Sequence, residues 1–67
     1  MNIKETIKNR RRRLSMTQSE LAKRAGVHQS CVSKVENGTT DPSIAVAVKI
    51  VSALGLELII TDRHDNK

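Results

Sequence analysis

The sequence predicts an all-α fold of four short helices closed by one C-terminal β-strand, and three observations carry that prediction. Apolar residues recur at helical spacing in four separate stretches, each stretch is bracketed by residues that start or stop helices, and only residues 56–61 alternate like a strand. A chain of 67 residues forms a single domain, 1–67, whose own core is marginal and which a second subunit would complete.

In the first stretch Ile3, Ile7 and Leu14 share one face with Lys and Arg between them, so residues 3–14 read as an amphipathic helix ended by Ser15 and Met16. Thr17 stands three residues before Glu20, the spacing of a capping box, and Met16 is placed to staple onto Leu21. The second helix turns Leu21, Ala22 and Ala25 to one side and stops at Gly26. After Val27 and His28 a third helix runs from Gln29 to Glu36, burying Val32 and Val35 and leaving Gln29, Ser30, Ser33 and Lys34 outside. Asn37 and Gly38 end it.

Either Asp41 or Ser43 can cap a fourth helix, with Pro42 tolerated only at its start, and the helix is expected over about residues 43–54. It is apolar nearly all round, interrupted by Lys49 and Ser52, so it needs cover on more than one side. Gly55 stops it. Residues 56–61 then alternate, with Leu56, Leu58 and Ile60 on one face. A lone strand leaves backbone donors and acceptors unpaired, and the simplest remedy is the same strand of a second chain across a two-fold axis. A homodimer is therefore expected through Val46, Ile50, Leu56, Leu58, Ile59 and Ile60, with residues 62–67 a polar, frayed tail.

The formal charge is +5, and residues 1–36 hold nine Lys/Arg against three Glu, while residues 37–67 hold three against four acids. A basic N-terminal half points to a polyanion. The chain has no aromatic residue, hence no platform on which single-stranded bases stack. Residues 10–13 are four consecutive arginines, which wrap right round a helix and cannot all face one phosphate rail.

The longest apolar clusters, 44–48 and 58–60, fall far short of the ~20 residues of a membrane span, and no signal-peptide run opens the chain. The expectation is a cytoplasmic protein with no membrane partner. Cys31 is the single cysteine, a small side chain at a helix flank or, alternatively, a redox-sensitive thiol. His28 and His64 lack the Cys or acidic company of a metal site. No nucleophile–base pair, glycine-rich phosphate loop or carboxylate pair stands at a recognisable spacing, so neither an enzyme nor a cofactor is expected.

Two short helices joined by a tight glycine turn over residues 17–36, the second with a polar outer face, form a helix-turn-helix arrangement. The words Thr17-Gln18-Ser19-Glu20-Leu21-Ala22, Ala25-Gly26-Val27 and Ser33-Lys34-Val35-Glu36-Asn37-Gly38 resemble the xenobiotic-response-element helix-turn-helix family, that of the lambda-type repressors and Cro proteins. The resemblance implies a lambda-repressor-like fold over about residues 5–55 and a dimeric repressor that binds double-stranded DNA at a palindromic operator.

It implies base-reading positions at Gln29, Ser30 and Lys34, with Ser33 nearby, and the i,i+4 pairs Gln29/Ser33 and Ser30/Lys34 agree with one outer face. Gln18 corresponds to a phosphate-contacting glutamine where free N–H groups also favour an anion. Asn37, Gly38, Thr39 and Thr40 match a loop that meets the sugar-phosphate backbone, and Thr17 and His28, which open the two helices, are grouped with that set. Arg11 and Glu36 match a structural ion pair. His28 departs from the small hydroxyl residue usual at that cap. The strand ending is also similar to HipB-like antitoxins, which implies an alternative role: binding and neutralising a HipA-like toxin kinase while repressing the operon of the pair.

Overall fold

The computed structural model describes residues 3–59. Four helices follow in order: α1 (Ile3–Arg13), α2 (Gln18–Ala25), α3 (Gln29–Asn37) and α4 (Ile44–Ala53). Helix α2 packs against both α3 and α4, and α1 packs against α3. Their apolar faces meet in one core of Ile7, Met16, Leu21, Ala22, Ala25, Val32, Val35, Ile50, Val51 and Leu54.

Helix α1 stops one residue earlier than its apolar spacing suggests. Ser15 takes a left-handed conformation (φ 54°), and the Met16 amide donates to the Arg11 carbonyl at 3.1 Å, which folds the chain back over the helix end. Leu14 is left 42% exposed at the rim, while Met16 enters the core in its place. The expectation that Leu14 belongs to the buried face is thus corrected by the geometry of the turn.

At the next start the capping box is present in full. The Glu20 amide donates to Thr17 Oγ1 at 3.0 Å, and the Thr17 amide donates to Glu20 Oε1 at 2.8 Å. The hydrogen bond from the Thr17 amide, with that from its hydroxyl and the neighbouring Arg24 and Lys23 charges, holds the Glu20 carboxyl below its ordinary pKa. Gly26 (φ 74°) closes α2 in the left-handed region, and that backbone conformation is what favours glycine there, since an added Cβ would meet nothing within 4 Å.

His28 occupies the N-cap of α3 and makes no side-chain capping bond. An unfilled cap is a local weakness: His28→Ser should raise stability by about 0.5–2 kcal/mol, read as a higher midpoint in urea unfolding. Helix α4 shows the contrast, because Ser43, rather than Asp41, is its cap, with Ser43 Oγ accepting from the Val46 amide at 3.2 Å.

One side of α4 faces the protomer's core through Ala47, Ile50, Val51 and Leu54, and Ile44 and Val48 stand 64% and 41% exposed on the other. Residues 56–59 form neither helix nor strand; Leu56 and Leu58 pack on the core and Ile59 is exposed. A strand is defined by a neighbouring backbone, and among the described residues none pairs with this segment. Ile60, the remainder of the expected strand and the tail 62–67 lie outside the described residues.

Candidate nucleic-acid interface

The site is built around a carboxylate. Glu36, in the last turn of α3, is 3% exposed and is the buried charged residue among the described residues. Arg11 from α1 grips it with both arms of the guanidinium, Nε to Oε2 at 2.6 Å and Nη2 to Oε1 at 2.9 Å, and donates Nη1 to the Met16 carbonyl at 2.8 Å. Gln18 Nε2, from the first turn of α2, donates to the same Glu36 Oε1 at 3.1 Å. One carboxylate therefore ties the ends of three helices together.

Burial pushes the Glu36 carboxyl up, but the hydrogen bonds from Arg11 and Gln18, with the charges of Arg11 and Lys8, outweigh it and hold the pKa below the ordinary carboxylate range. The hydrogen bond to Glu36 raises the Arg11 pKa in turn, against partial burial. Both partners are charged across the whole physiological range, so the network is a rigid fixture.

This fixture sets how α3 presents its outer face. Val32, Val35 and Glu36 point inward, Ser33 is half-buried, and Gln29, Ser30 and Lys34 are exposed together. Ser30, Lys34, His28 and Thr40 line one open cleft of about 310 Å³ between α3 and the loop before α4, which also holds the half-buried Cys31. Two of the residues expected to read bases, Ser30 and Lys34, thus lie beside two expected to meet backbone, His28 and Thr40, whereas Gln29 and Ser33 do not line this cleft. Gln18 stands at the adjoining start of α2, half-buried.

Several residues of the expected backbone set already carry internal bonds. Thr39 Oγ1 donates to the Lys34 carbonyl at 3.1 Å and its amide donates to the same oxygen at 3.0 Å, which closes α3 behind Gly38. Asn37 Nδ2 donates to Ser33 Oγ at 3.4 Å. Thr17 Oγ1 is occupied by the capping box. These side chains shape the loop and helix ends.

Sequence reading passed over Lys4 and Lys8. With Arg11 they lie at i, i+4 and i+7, one stripe of α1. Lys8 acts on the Glu36 carboxylate through its charge, and the Lys4 side chain lies over Gly38, where an added Cβ would come within 3.2 Å of Lys4 Cδ and Nζ. The spacing was visible in the sequence, but a stripe at that spacing did not show which helix it would face.

A family model described as helix-turn-helix matches residues 7–60. The chain is 42% identical over 53 residues to an uncharacterised helix-turn-helix transcriptional regulator of Methanothermobacter thermautotrophicus, covering 79% of this chain and 77% of that one. It is 32% identical over 62 residues to an uncharacterised helix-turn-helix transcriptional regulator of Sinorhizobium fredii, covering 92% of this chain but only 32% of that protein. It is also 39% identical over 46 residues to the antitoxin HipB of Escherichia coli O6:H1, covering 69% of this chain and 49% of the antitoxin. The chain thus spans about a third of the Sinorhizobium relative and half of the antitoxin.

Proposed function

We propose that this chain, which belongs to the helix-turn-helix family of transcriptional regulators of the xenobiotic-response-element, lambda Cro-like type, binds double-stranded DNA sequence-specifically as a homodimer and represses transcription at a palindromic operator in the cytoplasm. The observation that carries this reading is the exposed polar face of α3, Gln29, Ser30 and Lys34, held at a fixed angle by the buried Glu36 network. Such a helix enters a major groove, where glutamine pairs with an adenine edge and lysine with a guanine edge. Gln18, Thr17, His28, Asn37, Thr39 and Thr40 are the proposed contacts to the sugar-phosphate backbone, and the basic N-terminal half supplies the attraction.

Two roles are separable by mutation. Lys34→Ala should cost about 1–3 kcal/mol on the best site and relax preference at one base pair, measured by competition between that site and its single-base variants. Gln18→Ala should weaken all duplexes alike and flatten the salt dependence. Since Gln18 also donates to Glu36, its unfolding midpoint is read in parallel to separate a loss of stability from a loss of contact. Equal losses for Lys34→Ala on specific and random DNA would remove its reading role.

For the dimer, the support is surface composition. Ile50 is fully buried inside its own protomer and has nothing to offer a partner, so the expected interface is revised: Ile44 and Val48 take its place beside the half-buried Val46, with Leu56, Leu58, Ile59 and Ile60 as the strand segment. The proposed pairing of residues 56–61 across the two-fold axis would give this segment the strand partner that it does not have among the described residues.

A second reading is favoured by one finding, the 39% identity to the antitoxin HipB. The dimer would then also bind and neutralise a toxin, a HipA-like kinase on that resemblance, with DNA binding serving autoregulation. Co-purification of a kinase from the native host with the wild-type chain, and its inhibition by the purified dimer, would support this role; a chain that leaves the co-purified protein's activity unchanged would exclude it.

A further inference from the structure

On the duplex-binding reading, the loop that joins α3 to α4 rests on the sugar-phosphate backbone, and its own charge opposes that contact. Residues 37–48 contain no Lys or Arg and one carboxylate, that of the exposed Asp41. Two of the loop's polar side chains are already engaged, Thr39 with the Lys34 carbonyl and Asn37 with Ser33. A negatively charged loop is repelled by a polyanion unless the fold brings a cation to it from another element.

Helix α1 brings one. The Lys4 side chain lies over Gly38, with Cδ and Nζ each 3.2 Å from the place a Cβ on that residue would take. Lys4, Gly38, Thr40, Asp41 and Pro42 line one open cleft of about 200 Å³. Thr40, Asp41 and Pro42 also line the cleft that holds Lys34, so the loop has a lysine in the cleft on either side. A cation at the end of α3 would offset that helix's dipole, but Lys34 in the last turn already fills this role. An ammonium carries three donors, so contacts of Lys4 within the fold leave it capacity for a phosphate oxygen.

We propose that Lys4 is a backbone contact of the DNA complex: seated over Gly38, its ammonium offsets Asp41 and donates to the phosphate that the 37–41 loop meets. The inference rests on the duplex-binding reading and adds to it a residue of α1, a helix outside the helix-turn-helix pair. Lys34 then reads a base edge while Lys4 holds the neighbouring rail.

The test is duplex binding by the full chain as a function of salt, for wild type, Lys4→Gln, Lys4→Arg and Lys4→Gln combined with Asp41→Asn. Lys4→Gln should lose about three- to tenfold in affinity on the best site and on random duplex alike, and its plot of log Kd against log salt should flatten by about 1. Lys4→Arg should keep the wild-type slope, and adding Asp41→Asn to Lys4→Gln should recover part of the lost affinity. Urea unfolding of each variant shows whether the fold is kept. A folded Lys4→Gln chain with the wild-type salt slope would overturn the proposal and make Lys4 a brace for the end of α3. A loss confined to the best site would overturn it too, by making Lys4 a base-reading group. Wild type that binds no duplex at any salt would remove the reading on which the inference rests, and the inference with it.

Discussion

Replacing Glu36 by Ala should destabilise the domain by roughly 3–5 kcal/mol, the loss seen when one partner of a buried ion pair is removed. The Glu36 side chain is 1% exposed and that of Arg11 13%, so deletion leaves a guanidinium in a desolvated site with one remaining partner, the Met16 carbonyl, and frees the Gln18 amide as well. A domain this small has a total stability of only about 3–5 kcal/mol, so the variant should be largely unfolded near body temperature unless dimerisation or DNA rescues it. Urea denaturation followed by circular dichroism reads the effect. A midpoint shifted by less than ~1 kcal/mol would mean that the network contributes little.

The same carboxylate sets the acid limit. Its pKa is depressed in the folded state, so its contribution is fully present above the ordinary carboxylate value and is lost as pH falls through the depressed one. Glu20, depressed by its capping bonds, contributes with the same sign. Wild-type stability should therefore decline on acidification below about pH 4.3, and Glu36→Gln should start lower but decline less steeply.

Val48→Glu combined with Ile44→Glu should leave the protomer folded and separate the dimer, with affinity for a two-half-site operator reduced by roughly 10²–10⁴ as the second recognition helix ceases to be tethered to the first. Both residues are exposed on the protomer and stand four apart on α4, so new carboxylates there meet water in the monomer and meet each other across a two-fold interface. Sedimentation in the ultracentrifuge separates the cases. A variant that remains dimeric would move the interface elsewhere, and a wild type that sediments as a monomer at micromolar concentration would remove it.

What was legible in the sequence was what is decided locally. The Thr17/Glu20 box that caps α2 and the stops at Gly26 and Gly38 depend on residues within one turn, the cap of α4 was narrowed to Asp41 or Ser43, and the helices fall within one or two residues of their apolar periodicity. The outer face of α3 was legible for the same reason, since i,i+4 spacing alone groups Ser30 with Lys34. Leu14 was misjudged because apolar spacing does not reveal where a left-handed residue will turn the chain.

Helix α4 was harder, because a helix apolar on every side contains no signal for which side its own protomer takes. Packing assigned Ile50 to the core and Ile44 to the surface. In the arginine run the family resemblance pointed to the Arg11–Glu36 pair, which the structure contains, whereas nothing local marked Arg10, whose partner is the distant Leu54 carbonyl. Of the candidate interface, the helix that presents it was readable, while the bonds that already occupy Gln18, Thr39 and Asn37 were not.

The most direct test of the central claim is selection of binding sites from random duplex DNA at near-physiological salt, with wild type beside Gln29→Ala and Lys34→Ala. A dimeric regulator reading the major groove through α3 should return a two-fold symmetric site whose half-sites lie about one helical turn, ~34 Å, apart, and each variant should blur it at defined positions. Binding that is salt-sensitive and blind to sequence, with the variants indistinguishable from wild type, would contradict it.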